Sequence, residues 1–260
     1  MEPVSDIRPR VVDSLATHGT SSGSPVVYVH GSMDRQAAFA RTIRHVPDVR
    51  SIVYDRRGYA RSVEVPPPYT VAANALDLVE VIESIGVRVR AVGHSFGGVT
   101  VLAAASRRPE LFEAIAIYES PMSWQEWWPS STGGSAAVAS ANDPGAAAEL
   151  FLKRFIGDER WERLPQRTKN SRRREGRALV GELSDLRREP AYELSQIRVP
   201  VVSAVGSRAG EHVKRAAGLI AEACSPIPVV ELDGGWHNAP STSPEAFADL
   251  VVRRLLTLGS

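Results

Sequence analysis

Six residues, Gly93-His94-Ser95-Phe96-Gly97-Gly98, constrain the fold of this chain more than any other stretch. The run Val87 to Val92, with Arg88 and Arg90 interleaved, reads as a strand, and the Ala/Val/Leu-rich residues after Gly98 read as a helix through Ala105. A strand that turns this sharply into a helix holds its apex residue in a strained conformation. Glycine two residues to either side is what lets strand and helix pack so closely. Ser95 then stands exposed above a sheet, with its hydroxyl free to attack. The helix N-terminus beside it supplies backbone donors and a positive dipole end where a negative oxygen would form. A five-residue Gly-x-Ser-x-Gly match also arises by chance, so the flanking strand and helix carry the inference.

The rest of the chain repeats the same grammar. Short apolar strands are expected at Val11–Thr17, Val26–Val29, Val49–Tyr54, Ala114–Tyr118, Arg198–Val205 and Ile227–Leu232. Helices are expected between them: Met33–Val46, Val71–Ile85 with Thr70 as cap and Gly86 as stop, Glu211–Ala223, and a closing helix from Pro244 to Leu256 capped by Ser243. A Gly/Ser turn is expected over residues 19–24. This alternation predicts an α/β fold with a mostly parallel central sheet flanked by helices. Residues 121–195 break the pattern. They hold no strand-like run but contain Trp124, Trp127, Trp128 and Trp161, and they read as a helical cap insertion between two halves of a core, residues 1–120 and 196–260.

Composition narrows the partners. Lys and Arg total 31 against 30 Asp and Glu, so no global charge points to nucleic acid or to an anionic membrane. No run approaches the roughly 18 apolar residues of a membrane span, and residues 1–6 mix charge with proline where a signal peptide would need an apolar core. The single cysteine, Cys224, can form no internal disulfide and is expected to be a buried, inert thiol. A cytoplasmic protein is the expectation.

A serine hydroxyl is a poor nucleophile without a base and a group that orients the base. Of six histidines, His237 is best placed, on the loop Gly234-Gly235-Trp236-His237 after the last strand, where the carboxyl-end loops of a parallel sheet converge. His94 adjoins Ser95 and is expected to point away; His30 reads as a packed loop residue. His18, His45 and His212 have no supporting context.

These parts together resemble the α/β-hydrolase family, in particular its small esterases and cofactor-free haloperoxidase-like members. The matching segments are His30-Gly31, Asp55-Arg56-Arg57-Gly58 through Ser62, the Ser95 motif and Gly234–His237, in the family's order. The resemblance implies Ser95 as nucleophile, His237 as base, and an oxyanion hole from the backbone amides of Ser32 and Phe96. It implies no metal and no organic cofactor. It also exposes a departure: members usually carry an Asp just after the strand at Val201–Val205, yet Gly206-Ser207-Arg208-Ala209-Gly210 has no carboxylate. Glu119, at the end of the preceding strand, is the preferred substitute, with Glu211 and Asp233 behind it.

The expected function is hydrolysis of an ester, thioester or lactone of a small apolar or aromatic acyl group, through an acyl-serine. Met33, Trp124, Trp127, Trp128 and Trp236 are the candidate substrate-binding residues. A C–C hydrolase, an acyltransferase or a perhydrolase would use the same serine, and the missing Asp leaves room for a weakly catalytic ligand-binding protein. Dehalogenase and epoxide hydrolase chemistry is disfavoured, since each needs a carboxylate where Ser95 stands. The cations Arg163, Arg167, Lys169, Arg172, Arg173, Arg174 and Arg177 read first as a solvated helix face, and second as a docking surface for coenzyme A or an acyl carrier protein.

Overall fold

In the computed structural model, which describes residues 9–19 and 23–258, seven strands form one sheet. In chain order they are β1 (Ala16–His18), β2 (Val26–Val29), β3 (Ser51–Val53), β4 (Val89–His94), β5 (Phe112–Tyr118), β6 (Val201–Gly206) and β7 (Val230–Leu232). Their spatial order is β1-β3-β2-β4-β5-β6-β7. β1 runs antiparallel to β3 and the other neighbours pair in parallel. The expectation of a mostly parallel sheet flanked by helices is met.

Alternation along the strands builds a core on each face, because successive side chains point to opposite sides. In β2, Val27 and Val29 join one core while Val26 and Tyr28 join the other. The first core receives α2 (Val71–Ile85) and α3 (Phe96–Arg107). The helical segment between β5 and β6 packs on it too, through α4 (Gly133–Ala139), α5 (Pro144–Ile156) and α8 (Gly176–Asp185), while α6 (Asp158–Glu162) and α7 (Gln166–Arg174) pack on α5. The second core is closed by Ile43 of α1 (Ala40–Arg44) and by Phe247, Val251 and Leu255 near the C-terminus. α9 (Glu211–Cys224) lies between β6 and β7. No helix among the described residues is long and apolar enough to cross a membrane.

Local signals held where they were self-contained. α2 starts where the Thr70 hydroxyl accepts from the Ala73 amide and stops at Gly86, whose φ of 77° only glycine adopts without strain. Elsewhere tertiary contacts overrode them. Val11–Ser14 is a 3-10 turn, and the first strand is confined to Ala16–His18. The helix expected from Met33 begins only at Gln36, as a 3-10 turn leading into Ala40–Arg44, because residues 31–35 are drawn into the site described below. Ser243 makes no capping hydrogen bond, and the closing segment passes through a π-helical stretch at Ala248–Arg253. Cys224 is half-buried, its Sγ 3.4 Å from the Leu194 carbonyl oxygen. The N-terminal hexapeptide, and residues 20–22 of the Gly/Ser turn, lie outside the described residues.

Candidate active site

Strand register brings the central residues to one edge. His94 pairs with Tyr118, and Tyr118 with Ala204, so the residues that follow, Ser95 and Glu119, stand side by side at the carboxyl rim. The Ser95 amide donates to the Tyr118 carbonyl at 2.9 Å and the Glu119 amide to the Ala204 carbonyl at 3.1 Å. Both residues have positive φ, 55° and 49°, in a region that side chains with a Cβ occupy at a cost of ~1–3 kcal/mol. At Ser95 the cause is the tightness of the turn. A Cβ on Gly97 would sit 2.0 Å from the Val29 carbonyl oxygen, and one on Gly93 would sit 2.6 Å from Gly98 Cα.

Glu119 is buried, and its two oxygens are used separately. Oε1 accepts from the Gly206 amide at 3.0 Å, and Oε2 accepts from His237 Nδ1 at 2.7 Å. The carboxylate therefore bridges from the end of β5 to the last residue of β6, and residues 207–210 that follow hold no acid. Glu211 is solvent-exposed beside Lys214, and Asp233 is exposed. His237, tied at Nδ1, is left with Nε2 free, and it borders two cavities that both also border Ser95. Its ring stacks against His94 at 4.8 Å and Phe155 at 5.6 Å.

His94 points under the rim. Its Nε2 donates to the His237 carbonyl at 2.7 Å, which fixes the loop that carries His237. Burial, reinforced by the nearby His237, pushes its pKa down to about 3, so it stays neutral at working pH. His30 is fully buried and structural: its Nδ1 donates to the Gly31 carbonyl at 2.8 Å and its Nε2 accepts the Arg56 amide at 2.9 Å. Burial, with Arg56 nearby, holds it well below its ordinary pKa.

Residues 30–33 are clamped by cations and a carboxylate buried behind them. The Arg56 guanidinium donates to the His30 carbonyl at 2.7 Å and the Gly31 carbonyl at 3.1 Å. It is paired at 2.8 Å with Glu182 of α8, and both side chains are 1% exposed. Glu182 Oε1 in turn accepts from the Ser32 hydroxyl at 2.5 Å and the Tyr59 hydroxyl at 2.7 Å. Arg172 of α7 donates to the Met33 carbonyl at 3.0 Å. With these carbonyls held, the loop brings Ser32 to the same cavity as Phe96, whose amide, first in α3, has no intrahelical acceptor. Removing one partner of a buried pair leaves an uncompensated charge, so Glu182→Ala is expected to lower unfolding stability by about 3–5 kcal/mol in urea titration. A loss under 1 kcal/mol would contradict this reading of the clamp.

Two cavities meet at Ser95 and His237. One, of about 430 Å³, is walled by Trp128, Phe151, Phe155, Leu183, Arg154 and Arg187, and it reaches Ser32, Phe96 and Glu119. The other, of about 450 Å³, takes in Met33, Asp34, Arg41, Arg160 and Arg172. Among the expected substrate-binding residues, Met33 and Trp128 border these spaces. Trp124, Trp127 and Trp236 do not: Trp124 packs edge-on against Tyr192, Trp127 lies under Arg215, and Trp236 is 52% exposed beneath Arg208. Each ring is engaged by a neighbour outside the site, which sequence proximity to the rim did not reveal. Conversely, Phe151, Phe155, Glu182 and Arg187 were missed, and His212, which had no supporting context in the sequence, stands at the start of α9 edge-on to Trp128 at 4.6 Å. The helical period of α5 and α8 could have hinted only at Phe151, Phe155 and Glu182, and it does not say what each face meets. No cluster of three or more His, Cys, Asp or Glu side chains placed to hold a metal occurs among the described residues.

Comparison with known proteins agrees with this architecture. Over 103 residues, 39% of this chain, the sequence is 29% identical to the lipase LipV of Mycobacterium tuberculosis, and the matched stretch spans 39% of that protein. A thermophilic esterase from Thermogutta terrifontis superposes with a TM-score of 0.74 at 19% identity, covering 93% of this chain and 92% of the esterase. A bromoperoxidase from Bacillus anthracis superposes with a TM-score of 0.74 at 21% identity, covering 93% and 94%. At such identities these structures share the fold alone. The model of the alpha/beta hydrolase family, however, matches residues 26–250, nearly the whole of the sheet and everything between its strands. With most of its length matched by that model, the chain belongs to the alpha/beta hydrolase family.

Proposed function

We propose that the protein is a serine hydrolase that cleaves an ester, thioester or lactone through an acyl-serine intermediate on Ser95. The observation that carries this reading is the 2.7 Å contact of Glu119 with His237 Nδ1, on the rim that also holds Ser95 at a strained turn. With Nδ1–H donated to Glu119, Nε2 of His237 is unprotonated and takes the Ser95 hydroxyl proton as Oγ bonds to the acyl carbon. The amides of Ser32 and Phe96 receive the resulting oxyanion. Collapse breaks the bond to the leaving group, which takes the proton from His237. Water then attacks the acyl-serine by the same route in reverse, and Ser95 regains its proton.

The helical segment 121–195 acts as the cap over this site, and its α5 and α8 supply most of the apolar wall. That wall supports an apolar or aromatic acyl group. The basic run supports the solvated-face reading over a carrier-docking one, since five of its cations already face carboxylates: Arg163 with Glu159, Lys169 with Glu162, Arg172 with Glu175, Arg173 with Glu149 and Arg174 with Glu64. A free small molecule is therefore the proposed substrate. A panel of p-nitrophenyl esters of increasing acyl length tests it. KM is expected to fall as the chain grows, each buried methylene contributing about 0.8 kcal/mol, until the cavity of about 430 Å³ is full. No turnover at any length would overturn the reading.

A further inference from the structure

The apolar cavity beside Ser95 carries a positive charge that the protein itself does not neutralise. Arg187, in the turn after α8, is half-buried at its wall. Its guanidinium donates to the Leu183 carbonyl at 2.7 Å and lies 3.3 and 3.4 Å from the Ser135 and Thr132 hydroxyls. None of these is a carboxylate, and no ion pair to Arg187 occurs among the described residues. Arg154 borders the same space and holds only the Ser131 carbonyl, at 3.1 Å. Arg154 is exposed, whereas Arg187 is half-buried; four other arginines that are buried or half-buried, Arg35, Arg56, Arg57 and Arg90, each face a carboxylate. The one acid bordering the cavity, Glu119, is committed to His237 and the Gly206 amide.

Desolvating a charge without a partner is costly, and here nothing acidic offsets it: burial alone lowers the Arg187 pKa. The guanidinium lies close against the start of α4: a Cβ on Gly134 would sit 2.7 Å from Arg187 Nη2. Trp128, Phe151, Phe155 and Leu183 give the cavity an apolar stretch of wall, and its other polar lining, such as Ser123, Thr132 and His212, bears no carboxylate apart from Glu119. Charge at one wall and apolar surface around it match a ligand that is apolar along its length and anionic at one position.

Resting on the serine-hydrolase reading, we infer that the substrate bears a carboxylate remote from its scissile acyl bond, bound by Arg187 with Arg154 beside it, while its apolar portion lies against Trp128 and the two phenylalanines. A planar carboxylate suits the fork of a guanidinium, which offers two parallel donors.

The test compares esters that differ in that one group: the mono-p-nitrophenyl esters of glutaric and adipic acid against p-nitrophenyl pentanoate and hexanoate. The expected result is a kcat/KM about tenfold or more higher for the acidic esters, a preference that shrinks as salt is raised. Arg187→Gln is expected to cut the ratio of acidic to neutral kcat/KM by about tenfold, and Arg154→Gln by less. Free glutarate is expected to inhibit competitively, and pentanoate more weakly, which tests the site in the wild-type protein alone. Neutral esters turned over as well as acidic ones, or a preference that survives Arg187→Gln, would overturn this inference and leave the hydrolase reading intact. Failure of every ester, with no covalent adduct on Ser95, would overturn both.

Discussion

Replacement of Ser95 by alanine is expected to lower kcat on any ester the protein turns over by about 10⁵–10⁶-fold, with little change in fold or stability. Alanine is the right probe because it keeps the Cβ. At φ 55° the strain of the turn is the same for Ser and Ala, so only the hydroxyl is lost. A residual rate above that of water is expected, since the proposed oxyanion amides and the cavity walls remain. Circular dichroism and urea unfolding of the variant beside steady-state kinetics check both halves of the expectation. A variant within tenfold of wild type would remove Ser95 from the chemistry.

Glu119→Gln is expected to lower kcat by about 10⁴-fold. The substitution preserves shape, so its effect isolates protonation. If the glutamine keeps its oxygen on the Gly206 amide, its NH₂ faces His237 Nδ1, which must then accept, and the proton moves to Nε2. A protonated Nε2 cannot take the serine proton. If the amide turns over, its oxygen can accept from Nδ1, but its NH₂ opposes the Gly206 N–H and two donors face each other in a buried place. Either orientation is unfavourable. Glu211→Gln and Asp233→Asn, both at exposed positions, are expected to change kcat less than twofold. Near-wild-type turnover by Glu119→Gln, with a large loss in either of the other two, would reassign the acid.

The fold was legible in the sequence because its signals are local. Thr70 and Gly86 bracket α2 within the chain itself, and the Ser95 motif carries strand, turn and helix in a dozen residues. The place of Glu119 followed from the sequence by a longer route: residues 206–210 hold no acid, and Glu119 ends the preceding strand. The register of β4, β5 and β6 then supplies the reason that strand serves, because it sets Glu119 beside Ser95 and within reach of the Gly206 amide. Glu182 was not legible. Its partners Arg56, Tyr59 and Ser32 are more than a hundred positions away, and in sequence it is one of two acids on α8, with nothing local to mark it out. The tryptophans misled for a related reason: proximity to the rim in sequence says nothing about which neighbour covers a ring, and Arg208, Arg215 and Tyr192 had claimed three of them.

The central claim is that Ser95 is an activated nucleophile, and covalent labelling tests it most directly. Wild-type protein treated with a fluorophosphonate should gain one phosphonyl group by intact mass, located on Ser95 by peptide mapping and absent from Ser95→Ala. An unmodified wild type, or a Ser95→Ala protein that labels to the same extent, would contradict it.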